Sequence, residues 1–282
     1  MTIQWFPGHM AKAKREVQEK LKLVDFVIEL VDARVPDSSQ NPMLQEVLQN
    51  KPRMRVLMKK DLADPAVTSK WIDQFESEEV KSVAVDVQNK QDVQLVINAA
   101  KEMGREKQDK LQKKGIRPRP SRAMILGIPN VGKSTLINRL VNRKIAKTGD
   151  RPGVTTSQQW IKVKKDFELL DTPGILWPKF EDELVGYRLA AIGTIKDQLL
   201  PKEDVAAFII DYLKTSYPTL LQERYSLENE PDMGIIFEKI GSSRGCLESG
   251  GRVNFEKTAE VIIRDLRSGR LGRLTLEQPD PV

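Results

Sequence analysis

Gly127-Ile128-Pro129-Asn130-Val131-Gly132-Lys133-Ser134 is the stretch on which the reading of this 282-residue chain turns. The apolar run Ala123-Met124-Ile125-Leu126 leads into it as a strand, and a helical pattern from Lys133 to about Asn142 leaves it. Two glycines spaced this way, then lysine and serine, between a strand and a helix, form a phosphate-binding loop. The glycines let Val131, Gly132 and their neighbours turn backbone N–H groups inward around an anion. Lys133 brings a charge to β- and γ-phosphates, and Ser134, followed by Thr135, offers a hydroxyl to magnesium.

Downstream, strands near 158–164 and 166–170 form a hairpin that ends at Asp171-Thr172-Pro173-Gly174. That spacing after the loop serine places Asp171 to hold magnesium through water and the Gly174 amide to meet a γ-phosphate. Between them lies Gly149-Asp150-Arg151-Pro152-Gly153-Val154-Thr155-Thr156. Thr155 is the residue there that could bring a hydroxyl to the same magnesium; a plain loop with capping threonines is the alternative. Many nucleotide hydrolases carry glutamine directly after such a glycine. Here it is Ile175, which cannot orient water, so catalytic help must come from elsewhere in the chain, from a metal ion or from a partner.

Upstream, the strand Met54-Arg55-Val56-Leu57-Met58 runs into Lys59-Lys60-Asp61. Loops that read guanine carry Asn-Lys-x-Asp. Their aspartate accepts two hydrogen bonds that adenine cannot offer, and the lysine stem packs over the base. Lys59 and Asp61 fit that pattern with Lys60 between them, while Met58 stands where asparagine belongs. The Ser-Ala turn expected after the next strand is replaced by Asp86-Val87. Both departures predict guanine preference with weakened affinity. The order matters most: the base-reading loop precedes the phosphate loop, the reverse of an ordinary GTPase, so the domain is circularly permuted.

Strands at 24–31, 54–58, 80–85, 123–126, 158–164 and 166–170 alternate with helices at 65–77, 92–113 and 133–142, the pattern of an α/β sheet. A basic amphipathic helix at 10–23 precedes them, and Pro36 with Asp37-Ser38-Ser39 closes the first strand unit. After about Pro178 the pattern is helical, near 181–195, 203–215, 218–225, 232–240 and 255–268, with a glycine-rich break from Gly241 to Gly251. Residues 1–178 are therefore expected to form a six-stranded, permuted P-loop GTPase domain and 179–282 a helical RNA- or ribosome-binding domain. Ile262, Ile263 and Leu266 should face inward on the last helix.

A hydrophobic share of 39% and 30% charged residues read as soluble and globular, and a net charge of +6 suggests a polyanionic partner, although many basic proteins have none. A single cysteine, Cys246, excludes an internal disulfide. No stretch approaches the roughly 20 apolar residues of a membrane span, and a cytoplasmic, monomeric protein is expected. Arg244, Arg252, Lys257, Arg264, Arg267, Arg270 and Arg273 offer phosphate contacts, although Glu256, Glu260 and Asp265 dilute their charge and a solvated face is the alternative. The basic stretch Lys101–Arg122 has the same ambiguity. No aromatic RNA-recognition signature is present, so RNA would be bound by shape and charge. An enzyme using the P-loop to make a product would need its own acid, base or nucleophile, and residues 179–282 offer no histidine and one thiol.

The chain resembles the circularly permuted ribosome-assembly GTPases, specifically the bacterial ribosome biogenesis GTPase A family, over essentially its whole length. The likeness rests on Trp5-Phe6-Pro7-Gly8-His9-Met10, Val31-Asp32-Ala33-Arg34, the phosphate loop, Asp150-Arg151-Pro152-Gly153 with Thr155-Thr156, and Asp171-Thr172-Pro173-Gly174-Ile175-Leu176-Trp177-Pro178. It implies GTP hydrolysis to GDP stimulated by the large ribosomal subunit, late in that subunit's assembly, with ribosomal RNA as partner and release on hydrolysis. His9, the single histidine, matches the group proposed as catalytic in the family; capping a helix or contacting RNA is its other reading. Asn130 matches the asparagine that binds potassium in cation-activated GTPases, beside magnesium as the divalent cofactor; a plain turn former in a tight loop is its other reading. A GTP-binding RNA scaffold with little intrinsic hydrolysis is the alternative function.

Overall fold

A computed structural model of the chain describes residues 15, 17–48, 51–117, 119–145, 159–163, 167–172, 182–196, 198, 201–227 and 230–280. Six strands form one sheet: β1 (Phe26–Asp32), β2 (Arg53–Met58), β3 (Lys81–Val85), β4 (Ser121–Gly127), β5 (Gln159–Val163) and β6 (Phe167–Asp171), in the spatial order β3-β2-β1-β4-β6-β5. All neighbours are parallel except β5 and β6, which pair antiparallel as the hairpin read from the sequence. Counted from β4 onward and round through β1, the order becomes 6-5-4-1-3-2. That sheet starts at its centre and winds outward both ways, with the phosphate strand first. The chain break has moved; the sheet has not.

The inner strands β1, β2 and β4 alternate their side chains between two covered faces, as a parallel sheet requires. From β1, Phe26, Ile28 and Leu30 enter the core under α4 (Lys90–Lys113) and α5 (Lys133–Val141). Val27 and Val31 enter the opposite face, covered by a helical run at 17–21 (α1), by α2 (Pro42–Leu48) and by α3 (Pro65–Ser77), whose Trp71 and Phe75 pack on Val31 and Leu57. The register sets Glu29 opposite Arg55, which pairs with it at 3.2 Å inside the sheet and stacks on Phe75 at 4.3 Å. The sequence pattern predicts no element at 42–48, which forms α2. Its seven residues are too short for a periodic signal, although Pro42 suits a first helical position.

The chain's last third is helical, as expected: α6 (Glu183–Ala191), α7 (Lys202–Ser216), α8 (Pro218–Tyr225), α9 (Met233–Ser243) and α10 (Phe255–Arg267). The glycine-rich break is pinned by a bridge between Leu247 and Val253. Ile262, Ile263 and Leu266 of α10 are buried, and the apolar faces of these helices join the core that covers the sheet. Beyond α10 the described residues form no regular element but run back to the sheet. Leu271, Leu274 and Leu276 are buried, and the Leu276 amide donates to the Arg34 carbonyl at 2.7 Å. Among the described residues no helix is long and apolar enough to cross a membrane.

Candidate nucleotide-binding site

Parallel strands bring their carboxyl ends to one edge, and ligands bind there where the winding direction reverses. In this sheet that point lies between β4 and β1. The loops after β4, β1, β2 and β6 meet there and carry the phosphate loop, Asp32, Lys59–Asp61 and Asp171-Thr172 respectively. In the phosphate loop, Asn130 (φ 61°) and Gly132 (φ 104°) are left-handed, which turns the chain into α5 with no side-chain cap at its first turn. The N-terminal amides of α5 are thus left for an anion. Ser134 and Thr135, half-buried, sit in that first turn.

Lys133 is buried, and its ammonium contacts the buried Asp171 carboxylate. Burial pulls the Lys133 ammonium below its ordinary range, and Asp171 offsets this only in part. Thr172 fixes the end of β6 by donating its hydroxyl to the Ile125 carbonyl at 2.7 Å. Nucleotide phosphates would compete with Asp171 for Lys133 and free the carboxylate. No three metal-binding side chains cluster among the described residues. A hydroxyl from Ser134 and one carboxylate from Asp171 suit magnesium, which takes few protein ligands and completes its shell with phosphate and water.

The Lys59–Asp61 loop, which the sequence predicts to read the base, is built on Asp32. Its carboxylate accepts from the Arg34 side chain at 2.9 and 2.8 Å and from the Lys59 ammonium at 2.9 Å. Burial would push this carboxyl up, but the Arg34 and Lys59 charges hold it well below the usual range. Burial lowers Lys59 in turn, against the pull of Asp32. Lys59 itself is left-handed (φ 59°), so the chain turns sharply there and leaves Asp61 exposed at the tip. Lys60 reaches Asp92 at 2.8 Å, and the same carboxylate accepts from the Asp86 amide at 2.8 Å. The Asp86-Val87 turn is therefore tied to the base-reading loop. Sequence reasoning missed Asp92, whose one signal was its place in the acidic first turn of α4. Met58 lies beneath the phosphate loop: a Cβ added at Gly132 would come within 3.1 Å of its Cε. Where a loop asparagine would hydrogen-bond, Met58 joins the two loops by packing.

A further bond reaches across from the last third of the chain. The Asn130 side-chain amide donates to the Gly193 carbonyl, just past α6, at 2.7 Å. Arg267 of α10 donates to the carbonyls of Ala190 and Ala191 at 2.8 and 3.0 Å. This corrects its reading as a phosphate contact, because the guanidinium that the sequence offered to RNA is spent on a helix end. Arg244, Arg252, Lys257, Arg264 and Arg270 are exposed. Of the predicted site residues, His9, Thr155 and Gly174 lie outside the described residues.

Residues 122–239 match the family model described as a 50S ribosome-binding GTPase. The chain is 57% identical over 281 residues to ribosome biogenesis GTPase A of Bacillus pumilus, covering 99% of this chain and 100% of that one. It is 34% identical over 300 residues to mitochondrial ribosome-associated GTPase 1 of Mus musculus, covering 98% and 90%. Its fold matches GNP-bound YlqF from T. maritima with a TM-score of 0.68 at 24% identity, over 96% of this chain and 100% of that one. With the permuted sheet order and both loops in place, the chain belongs to the ribosome biogenesis GTPase A family.

Proposed function

We propose that this protein binds GTP with magnesium at the β4–β1 crevice and hydrolyses it on the large ribosomal subunit, late in that subunit's assembly. Hydrolysis then releases it from ribosomal RNA. In this reading Lys133 and the amides of Val131 and Gly132 hold the phosphates, and Asp61 and Lys59 hold the base. Ser134, Thr155 and water on Asp171 would hold magnesium. When bound, that ion offsets charge on the β- and γ-phosphates. Water adds to the γ-phosphorus as its bond to the β-phosphate oxygen breaks, giving GDP and phosphate. Ile175 cannot orient that water, so His9 does so, with potassium at Asn130 compensating phosphate charge. Residues 1–178 carry the nucleotide, and 179–282 carry the basic contacts to RNA.

The observation that supports a switch is the bond from Asn130 to Gly193. It ties the loop that surrounds the phosphates to the end of α6, so a rearrangement around the nucleotide can be passed to the helical third of the chain. The deciding measurement is the GTP hydrolysis rate with and without purified large ribosomal subunits, in potassium and in sodium. Strong stimulation, greater in potassium, is expected. His9→Ala should keep nucleotide affinity and lose about a hundredfold or more of the stimulated rate. A rate indifferent to subunits would leave the GTP-binding scaffold as the better reading.

A further inference from the structure

The chain after α10 does more than close the core. Arg273 donates from Nε to the Ala63 carbonyl at 3.0 Å and from Nη2 to the Lys60 carbonyl at 3.1 Å. The Leu274 amide donates to the Leu62 carbonyl at 3.1 Å, and the Thr275 hydroxyl accepts from the Asp64 amide at 3.2 Å. Tyr217, from the start of α8, donates to the Asp64 carboxylate at 3.1 Å. Leu62 lies against Gly269, where an added Cβ would come within 2.7 Å of its Cδ2. These contacts fall on residues 60–64, on both sides of Asp61 in sequence. Asp64 also caps α3, so the strap grips the loop where it enters the helix.

The loop's other ties to the sheet are the Lys59 and Lys60 side chains, on Asp32 and Asp92, and the Lys60 amide, on the Val85 carbonyl at 3.2 Å. The turn begins at a left-handed lysine, and the Met58 side chain supplies no hydrogen bond to the loop backbone. A planar guanidinium can bridge two carbonyls with a fixed spacing, which fixes how the backbone between them turns. We propose that Arg273 is a positioning residue for base recognition: it holds the Lys60–Ala63 backbone so that Asp61 meets guanine, in place of the missing asparagine. The strap thereby makes guanine affinity depend on how the end of the chain is docked. The proposal rests on reading Lys59–Asp61 as the base-reading loop.

Arg273 is exposed, so its substitution leaves the core intact. Binding of GDP, IDP (which lacks the exocyclic amine) and XDP would be measured for wild type, Arg273→Ala, Arg273→Lys and Asp61→Asn. Arg273→Ala should weaken GDP binding about tenfold. It should also bring the GDP-to-IDP preference toward unity, a ratio that a loss of stability alone would not move. Arg273→Lys keeps the charge but cannot bridge both carbonyls, so it should resemble the alanine variant rather than wild type. If Asp61→Asn shifts preference toward XDP while Arg273→Ala keeps wild-type affinity and preference, the positioning role is overturned. If Asp61→Asn leaves the guanine-to-xanthine preference unchanged, the base-reading assignment itself fails, whatever Arg273 does.

Discussion

Asp32 shows what one buried carboxylate does for a site. It is fully buried at the end of the central strand β1, where a lone charge would be untenable. Arg34 and Lys59 make it tenable, and in exchange it sets the turn from which Lys59 and Asp61 project. Replacing it with asparagine leaves two cations partly uncompensated. Asp32→Asn should lower the unfolding free energy at pH 7 by about 3–5 kcal/mol, read from urea titrations. Because the folded carboxyl is held below its unfolded value, its contribution is fully present above about pH 4 and is lost as the pH falls toward the depressed folded value. The gap between wild type and variant should therefore narrow in acid. A gap independent of pH would show that Asp32 acts by shape alone. Val31-Asp32-Ala33-Arg34 was legible as a family signature, but its partnership with Lys59 was not, because the two meet only when β1 and β2 pair in register.

Among the elements, α6 ends at the carbonyl that meets the phosphate loop, the contact on which the proposed switch rests. Its expected span of 181–195 was too long. The helix stops at Ala191, where Gly193 (φ 86°) turns the chain and the Thr194 amide returns to the Leu189 carbonyl. Arg267 completes this end by donating to Ala190 and Ala191, and the Gly193 carbonyl is then presented to Asn130. Removing the guanidinium leaves two helix-terminal carbonyls without that donor. Arg267→Ala should cost about 2 kcal/mol of stability by chemical denaturation, as expected for hydrogen bonds from a charged group. An unchanged midpoint would mean that the backbone turn at Gly193 holds the α6 end without the guanidinium. Helix periodicity marks which face of a segment is buried, but where it stops was set here by one glycine and one arginine remote in sequence.

For the whole molecule, charge divides into two uses. Arg267 and Arg273 are spent on backbone carbonyls, whereas Arg264 and Arg270 stand exposed on and just after α10. If the exposed pair contacts RNA phosphates, binding to large ribosomal subunits should weaken steeply with salt. Arg264→Ala with Arg270→Ala should reduce the slope of log affinity against log salt by roughly 1.5. A filter-binding series over salt concentration would read this directly. An unaltered slope would assign both side chains to a solvated face.

The phosphate loop, the reversed loop order, the six strands and the inward face of α10 were all in the sequence, because they depend on local spacing and on alternation between two environments. The permutation was decided there too, since strand order along the chain is a property of sequence. What only the tertiary structure decided is which polar groups found each other across long separations: Asp32 with Lys59, Asp92 with Lys60, Asn130 with Gly193, and residues 273–275 with the loop at 60–64. An arginine reads the same in a sequence whether it will face RNA or a carbonyl. Folding settles that choice, because a buried carbonyl must be satisfied and the nearest guanidinium can come from any part of the chain.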